Sequence, residues 1–324
     1  MPEAGERTVR RAPGPRVSTA VAVLGATGGV GQHVCSAFRA SGDHVLGIAR
    51  RPSAAGSALR LDLAEAAPAQ LAAALTAHRT EIVVNATGGW VLSAEAMHLA
   101  HVQIVERLVA ASTLMPDPPR IVHIGTIHEY GPVPAGTLID ESRRPEPQTG
   151  YARTKLAGSQ ALLNATAAGT ARGVVLRAVN VCGPGTTSAS FLGAVLDRIR
   201  DVRPGDRVPM TIADARRDYL DVRDLTDAVV RAARAPESTV GQVINVGRGE
   251  AVAMRQLVDW LLAAAGLPPD TIDEQGAAVQ SKGGDWTRAD NRRAARLLGW
   301  QPRTALDASL RDMWHDAARR YSEA

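Results

Sequence analysis

Apolar runs separated by glycine- and proline-marked turns recur along most of the chain, and the majority read as strands alternating with helices. STAVAVLGATGGVGQHVCSAFRASG predicts a strand, a glycine turn and a helix. DHVLGIARRP predicts a second strand ending in arginines, and ALRLDL a short third one. AAPAQLAAALTAH reads as a helix and EIVVNATGG as a fourth strand with a loop. SAEAMHLAHVQIVERLVAAS has the spacing of one long amphipathic helix. The strand RIVHIGT, the helix YARTKLAGSQALLNATAAG and the strand GVVLRAVNV follow. Apolar strands alternating with helices imply a parallel sheet covered on both faces.

The pattern then changes. VCGPGTTSASFLGAVLDRIRDVRPGDRVPM reads as loop, helix and loop. DVRDLTDAVVRAARA and QVINVG return as one more helix and strand of the main sheet, and the remainder is mostly helical. The predicted fold is α/β: a Rossmann-type doubly wound parallel sheet with a smaller, mainly helical C-terminal substrate lobe. Residues 18–178 plus 219–247 would form the dinucleotide domain, and residues 179–218 plus 248–324 the lobe. Residues 1–17 are polar, carry Pro and Gly, and lack an apolar stretch. They read as a disordered tail and not as a signal peptide. No apolar run reaches membrane-spanning length.

Composition adds exclusions. With 324 residues, 45% hydrophobic and 22% charged, the chain can bury a large core as a soluble protein. Only 3% is aromatic, which argues against stacking along a nucleic acid. The net charge of +4 suits an anionic small ligand, and no basic run is long enough for a nucleic-acid footprint. Cys35 and Cys182 form no CxxC pair. His98 and His101 share a face of the predicted helix, with no further ligand to complete a metal site. A cytoplasmic protein without metal or disulfides is the expectation.

Candidate chemistry starts at GATGGVG. Gly25, Gly28 and Gly31 follow the first strand and open a helix, where a backbone without side chains approaches a pyrophosphate. Thr27, Gly29 and Val30 belong to the same turn. An NAD site usually ends the second strand with an acid; here Arg50 and Arg51 stand there, suited to a 2′-phosphate, so NADPH is the expected cofactor. Asp62, next to Leu63, is either an adenine ligand or a turn carboxylate. Asn85, Ala86, Thr87 and Gly88, after the fourth strand, lie along the cofactor or simply form a turn. Tyr151 and Lys155 stand four residues apart on one helix face. A cation there lowers a phenol's pKa and makes a proton donor or acceptor; taken alone, the pair is equally a solvated helix face.

Taken together, GATGGVG, NATG, HIGTIHEYG and YARTK resemble an extended short-chain dehydrogenase/reductase. LRAVNVCGPG, RRDYLDVRDLTDAVV, INVGRGE and TRADNRRAARLLGWQP resemble its nucleotide-sugar branch. The resemblance implies Tyr151 as acid/base, Lys155 as its partner and the holder of the nicotinamide ribose, and Thr126 as donor to the reacting oxygen. Arg217 matches the arginine that meets the substrate diphosphate, with Arg216 beside it. Asn180 matches an asparagine near the phosphates. His128, Thr187, Asp285 and Arg288 fall where relatives line or close the substrate site.

Branch 4,6-dehydratases carry Asp-Glu right after the catalytic Thr. Here the residues are Ile127 and His128, which takes away the acid that elimination needs. The wording IGTIHEYGPVP, TGYARTKLAG and VLRAVNVCGPGT is most similar to dTDP-4-keto-6-deoxyhexose 4-ketoreductases of actinobacterial antibiotic-sugar pathways. The resemblance therefore implies a cytoplasmic, homodimeric NADPH-dependent ketoreductase acting on a dTDP-linked keto-deoxysugar. An epimerase or dehydratase with tightly bound NAD is the alternative in the same class. A non-catalytic NADP-binding regulator is the alternative in another.

Overall fold

The computed structural model describes residues 18–51, 58–89, 93–203, 205–275 and 283–322, so the expected tail at 1–17 lies outside the described residues. The chain runs β1 (Ala20–Leu24), α1 (Gly29–Ala40), β2 (His44–Ala49), β3 (Ala58–Arg60), α2 (Pro68–Ala77) and β4 (Ile82–Asn85). A helix then comes in three parts: α3 (Ala94–His98), a π-helical turn (Leu99–Gln103) and α4 (Ile104–Thr113). β5 (Arg120–Thr126), α5 (Gly150–Ala167) and β6 (Arg172–Ala178) follow.

After these come β7 (Asn180–Cys182), α6 (Phe191–Ile199), β8 (Val208–Met210), β9 (Arg216–Arg217), β10 (Tyr219–Asp221), α7 (Val222–Arg234) and β11 (Val243–Val246). The chain ends with β12 (Val252–Ala253), α8 (Met254–Ala265), β13 (Ile272–Glu274), α9 (Arg292–Leu298) and α10 (Leu306–Ser322).

The seven-stranded sheet has the order β11-β6-β5-β4-β1-β2-β3, and every pair in it is parallel. The order reverses direction at β1, the switch point where doubly wound sheets bind nucleotides beyond their C-terminal edge. Successive side chains of a strand point to opposite faces. Val21 and Val23 pack with Phe38 of α1 and Val229 of α7. Ala22 and Leu24 pack with Leu71 of α2 and Leu108 of α4 on the other face. This two-sided burial is why β1 reads AVAVL with no polar position.

A second core joins α6, α8 and α10 through Leu192, Leu196, Leu257, Leu261, Leu310 and Met313. The short pairs β7–β10, β9–β12 and β8–β13 flank it. The chain beyond Gly284 does not stay with that second core. Ala289, Leu298 and Trp300 enter the core of the main sheet, where the fully buried Trp300 donates Nε1–H to the Asp224 carbonyl at 3.0 Å. Among the described residues no helix is long and apolar enough to cross a membrane.

Candidate active site

The glycine turn after β1 fits an anion. Gly25 has φ +77°, and a Cβ on it would stand 3.0 Å from the Ala86 carbonyl oxygen, so the turn and the loop after β4 close on one another. A Cβ on Gly31 would stand 2.1 Å from the Gly25 oxygen, which leaves no room for another residue. Gly28 caps α1 without any side-chain bond, and the first turn of α1 holds no acid. The N–H groups of a helix's first turn and the helix dipole favour an anion such as a pyrophosphate at this end. Thr27 is half-buried, with its carbonyl accepting from Gln32 Nε2 at 2.8 Å, and Val30 packs on the core.

Gly29 has a different requirement. Its Cβ would stand 2.8 Å from the oxygen of Gly185, in the loop after β7. The absent side chain therefore serves a contact with the C-terminal lobe. His33 Nε2 lies 2.9 Å from the Pro184 carbonyl oxygen, and Gly185 N–H donates to Asp316 Oδ2 of α10 at 2.8 Å, which completes this junction.

Arg50 and Arg51 are exposed just past β2 and have no acidic partner among the described residues. The β2–β3 register sets Ala49 opposite Arg60, so a third exposed arginine joins them. Sequence reasoning missed Arg60; the short strand ALR that carries it was the available signal. Asp62 Oδ1 accepts from Ala64 N at 2.9 Å, a turn bond, and the Leu63 carbonyl accepts from Arg107 at 2.8 Å. Asn85 is fully buried. Its Oδ1 accepts from Thr87 N and Oγ1 (3.1 and 2.6 Å), and its Nδ2 lies 3.1 Å from His123 Nδ1. It shapes the loop Ala86–Gly88 from beneath.

Thr126, Tyr151 and Lys155 come together at the C-terminal ends of β5 and the start of α5. Thr149 caps α5 by accepting from Ala152 N at 3.2 Å, and the Thr126 hydroxyl is hydrogen-bonded to Tyr151. The expected lowering of the tyrosine pKa by Lys155 is not what the structure shows. Desolvation, then the Glu129 carboxylate, push the Tyr151 phenol up to about 12, and only the Thr126 bond works against them. Burial pushes Lys155 down to about 8 despite Glu129, and its Nζ donates to the Ile124 carbonyl at 2.7 Å. The site therefore holds a protonated phenol at neutral pH.

Glu129 is the residue sequence reasoning overlooked, since it stands in HIGTIHEYG as an ordinary polar position. It is fully buried below the site. Oε1 accepts from Thr126 N (2.9 Å) and Ser159 Oγ (3.0 Å), and Oε2 from Arg177 Nε (2.7 Å). The Arg177 guanidinium in turn lies 4.3 Å from the Tyr130 ring centroid. Every Glu129 oxygen is engaged, so it braces the Thr126 turn and is not an available acid.

On the substrate side, His128 Nε2 lies 3.3 Å from Asn180 Oδ1. Burial and the charge of Arg217 push His128 down to about 4, so it is neutral at pH 7. Asn180 Nδ2 is buried with no partner among the described residues. The two residues of β9 diverge: Arg217 is buried beside this group and donates to the Gly284 carbonyl at 2.5 Å, while Arg216 is exposed on the opposite face. Arg288 is not brought to this group. With Arg216 and Trp286 it lines a separate open pocket of about 460 Å³. Asp285 is exposed and holds β9 through its carbonyl, which accepts from Arg216 N at 2.8 Å; Thr187 is exposed at the start of α6. No group of three or more His, Cys, Asp or Glu among the described residues is placed to hold a metal. His98 and His101 do not share a face: the first is exposed and the second buried.

Residues 21–247 match the NAD dependent epimerase/dehydratase family. The chain is 38% identical over 301 residues to a dTDP-6-deoxy-L-talose 4-dehydrogenase (NAD(P)(+)) of Kitasatospora kifunensis, covering 91% of this chain and 94% of that one. It is 27% identical over 206 residues to a GDP-6-deoxy-D-mannose reductase of Pseudomonas aeruginosa, with 62% and 67% covered. The fold superimposes on MoeE5 in complex with UDP-glucose and NAD with a TM-score of 0.79 at 26% identity, over 93% of this chain and 99% of that one.

Proposed function

Because the chain belongs to the NAD dependent epimerase/dehydratase family, with nucleotide-sugar enzymes using NAD or NADP among its relatives, we propose that it reduces the C4 ketone of a dTDP-linked 4-keto-deoxyhexose with NADPH. One observation carries this reading. Tyr151 is the proton donor placed against the Thr126 hydroxyl, and among the described residues no carboxylic acid beside it is free of other partners. A net reduction needs one proton delivered to the oxygen that becomes the alcohol. A dehydration needs a further acid for the departing hydroxyl. The positions after Thr126 offer only Ile127 and a neutral His128, and Glu129 is spent on Thr126, Ser159 and Arg177.

In this reading NADPH supplies the hydride. Thr126 and Tyr151 donate to the substrate oxygen and stabilise the charge that develops on it, and Tyr151 then gives up its proton. Lys155 and the Ala86–Gly88 loop would hold the cofactor near the phenol. Arg50, Arg51 and Arg60 would meet its 2′-phosphate. Arg217 and Asn180 would hold the substrate's phosphates; the buried Asn180 Nδ2, with no hydrogen-bond partner among the described residues, supports this. The 38% identical relative is named for oxidation at C4 of a dTDP-6-deoxy sugar, the reverse of the same chemistry. In this reading residues 18–178 plus 219–247 bind the cofactor, residues 179–218 plus 248–324 bind the sugar nucleotide, and the enzyme acts as a homodimer.

Initial rates with dTDP-4-keto-6-deoxyglucose, followed at the nicotinamide absorbance with NADPH and NADH in parallel, test this reading. The expected result is steady turnover that favours NADPH, with the preference falling at least about tenfold in an Arg50→Ser/Arg51→Ser variant. NAD retained through purification, with no net NADPH consumption, would support the epimerase instead.

A further inference from the structure

The π-helical turn carries a histidine into the site that the reaction scheme above leaves unused. His101 is 1% exposed, and its ring meets Tyr151 edge-on, with centroids 5.3 Å apart and planes at 89°. Its Nδ1 lies 2.7 Å from Thr154 Oγ1 and its Nε2 3.3 Å from the Gly89 carbonyl oxygen. A Cβ on Gly88 would stand 2.7 Å from His101 Cδ2 and 3.4 Å from Lys155 Nζ, so the loop after β4, the imidazole and the ammonium are packed together. The main chain of the turn is fixed as well: a Cβ on Gly158 would stand 2.0 Å from the His101 carbonyl oxygen. Tyr151, Thr154 and Gly158 follow one another at helical spacings of three and four, so His101 meets one continuous face of α5.

The hydrogen bonds explain why a histidine suits this place. Thr154 Oγ1 also lies 3.0 Å from the carbonyl oxygens of Gly150 and Tyr151. With its proton on Nε2, the neutral ring donates to Gly89 and its Nδ1 takes the single Thr154 hydroxyl hydrogen in place of the Gly150 and Tyr151 carbonyls. Burial, and then the charge of Lys155, push His101 down to about 4, so this neutral form is the one present at pH 7.

We propose that His101 is a positioning residue: its imidazole ties the Gly88–Gly89 loop to the helix that carries Tyr151 and Lys155, and so keeps the loop expected to line the cofactor in register with the proton donor. The catalytic consequence rests on the reductase reading; the structural tie does not. Misplacing reacting groups by about 1 Å is enough to cost about a hundredfold in rate.

Two variants test the proposal in the full chain. His101→Leu keeps bulk and removes both bonds. His101→Asn keeps a polar group toward Thr154. Hydrogen exchange at residues 86–89 without cofactor, NADPH affinity by fluorescence, and kcat with KM for the keto-sugar are measured for each. The expected result for His101→Leu is exchange about fivefold faster or more, NADPH binding several-fold weaker, and kcat down about 30- to 100-fold with sugar KM within about threefold. His101→Asn should recover at least about tenfold of the lost kcat. Equal losses in both variants, or exchange and kcat within about twofold of the parent in His101→Leu, would overturn the proposal. If the parent protein reduces no keto-sugar, the reductase reading fails, and the exchange and NADPH arms still decide the role of His101. If His101→Leu does not fold, His101→Asn decides: parental exchange and kcat would overturn the proposal, and partial losses at an unchanged melting temperature would support it.

Discussion

Lys155 is the residue whose protonation should be visible in the rate. Its pKa falls from an ordinary 10.5 to about 8 because burial penalises the ammonium. The folded protein therefore releases this proton as pH rises through about 8, while Tyr151, at about 12, keeps its own over the same range. If the charged lysine holds the cofactor, kcat/KM falls above about pH 8. Stability should move the other way. Between about pH 8 and 10.5 the unfolded chain binds the lysine proton and the folded one does not, so this group favours the fold increasingly as pH climbs. A pH–rate profile set beside melting temperatures from pH 7 to 9.5 checks both signs; a rate that stays flat to pH 9.5 would remove Lys155 from the mechanism. The family resemblance, more than the Tyr151–Lys155 spacing, singled out Thr126, Tyr151 and Lys155 as a group, and the structure brings the three together. The direction of the tyrosine shift was not legible in the sequence, because it comes from desolvation and from Glu129, whose burial no local pattern announces.

At the scale of elements, the junction between α1 and the loop after β7 makes a separate prediction. Gly29→Ala would drive a methyl toward the Gly185 oxygen, 2.8 Å away, in a contact also held by His33 and Asp316. Displacing that loop should cost about 1–3 kcal/mol, and it should weaken NADPH binding and raise the sugar KM together, because the loop stands between the two sites. Isothermal titration with NADPH, alongside steady-state kinetics, checks this; weakening of the cofactor alone would mean that the junction does not reach the substrate side. The strands and helices of the main sheet were readable from apolar periodicity. The π-helical turn was not: a period of 3.6 continues smoothly through LAHVQ, and the wider i→i+5 backbone hydrogen bonding that defines the turn leaves no mark on that pattern. Strands of two or three residues, such as β9 and β12, are too short to show any period. Alternation along β9 nevertheless separates Arg216 from Arg217, which adjacency in the sequence had put side by side.

Buried side chains gather on the two faces of the main sheet and in the second core, and elements of both meet where His128 Nε2 lies 3.3 Å from Asn180 Oδ1. Thr126, Tyr151 and Lys155 come from the main sheet and its helix α5, whereas Asn180 and Arg217 come from β7 and β9 beside the second core. The alternation of strands and helices foretold the parallel sheet. The return of residues 284–302 to the main core was hidden, because a mostly helical C-terminal sequence does not say which core it joins; Trp300 and its bond to Asp224 reveal that only in three dimensions. The central claim for the assembled site is a net, stoichiometric reduction at C4. NADPH deuterated at the transferable C4 position, incubated with dTDP-4-keto-6-deoxyglucose, tests it by NMR and mass spectrometry of the sugar product. The account predicts one deuterium at C4 for each NADPH consumed, and no incorporation with Tyr151→Phe. A product without deuterium, formed by inversion or loss of water while NADPH stays unoxidised, would contradict it.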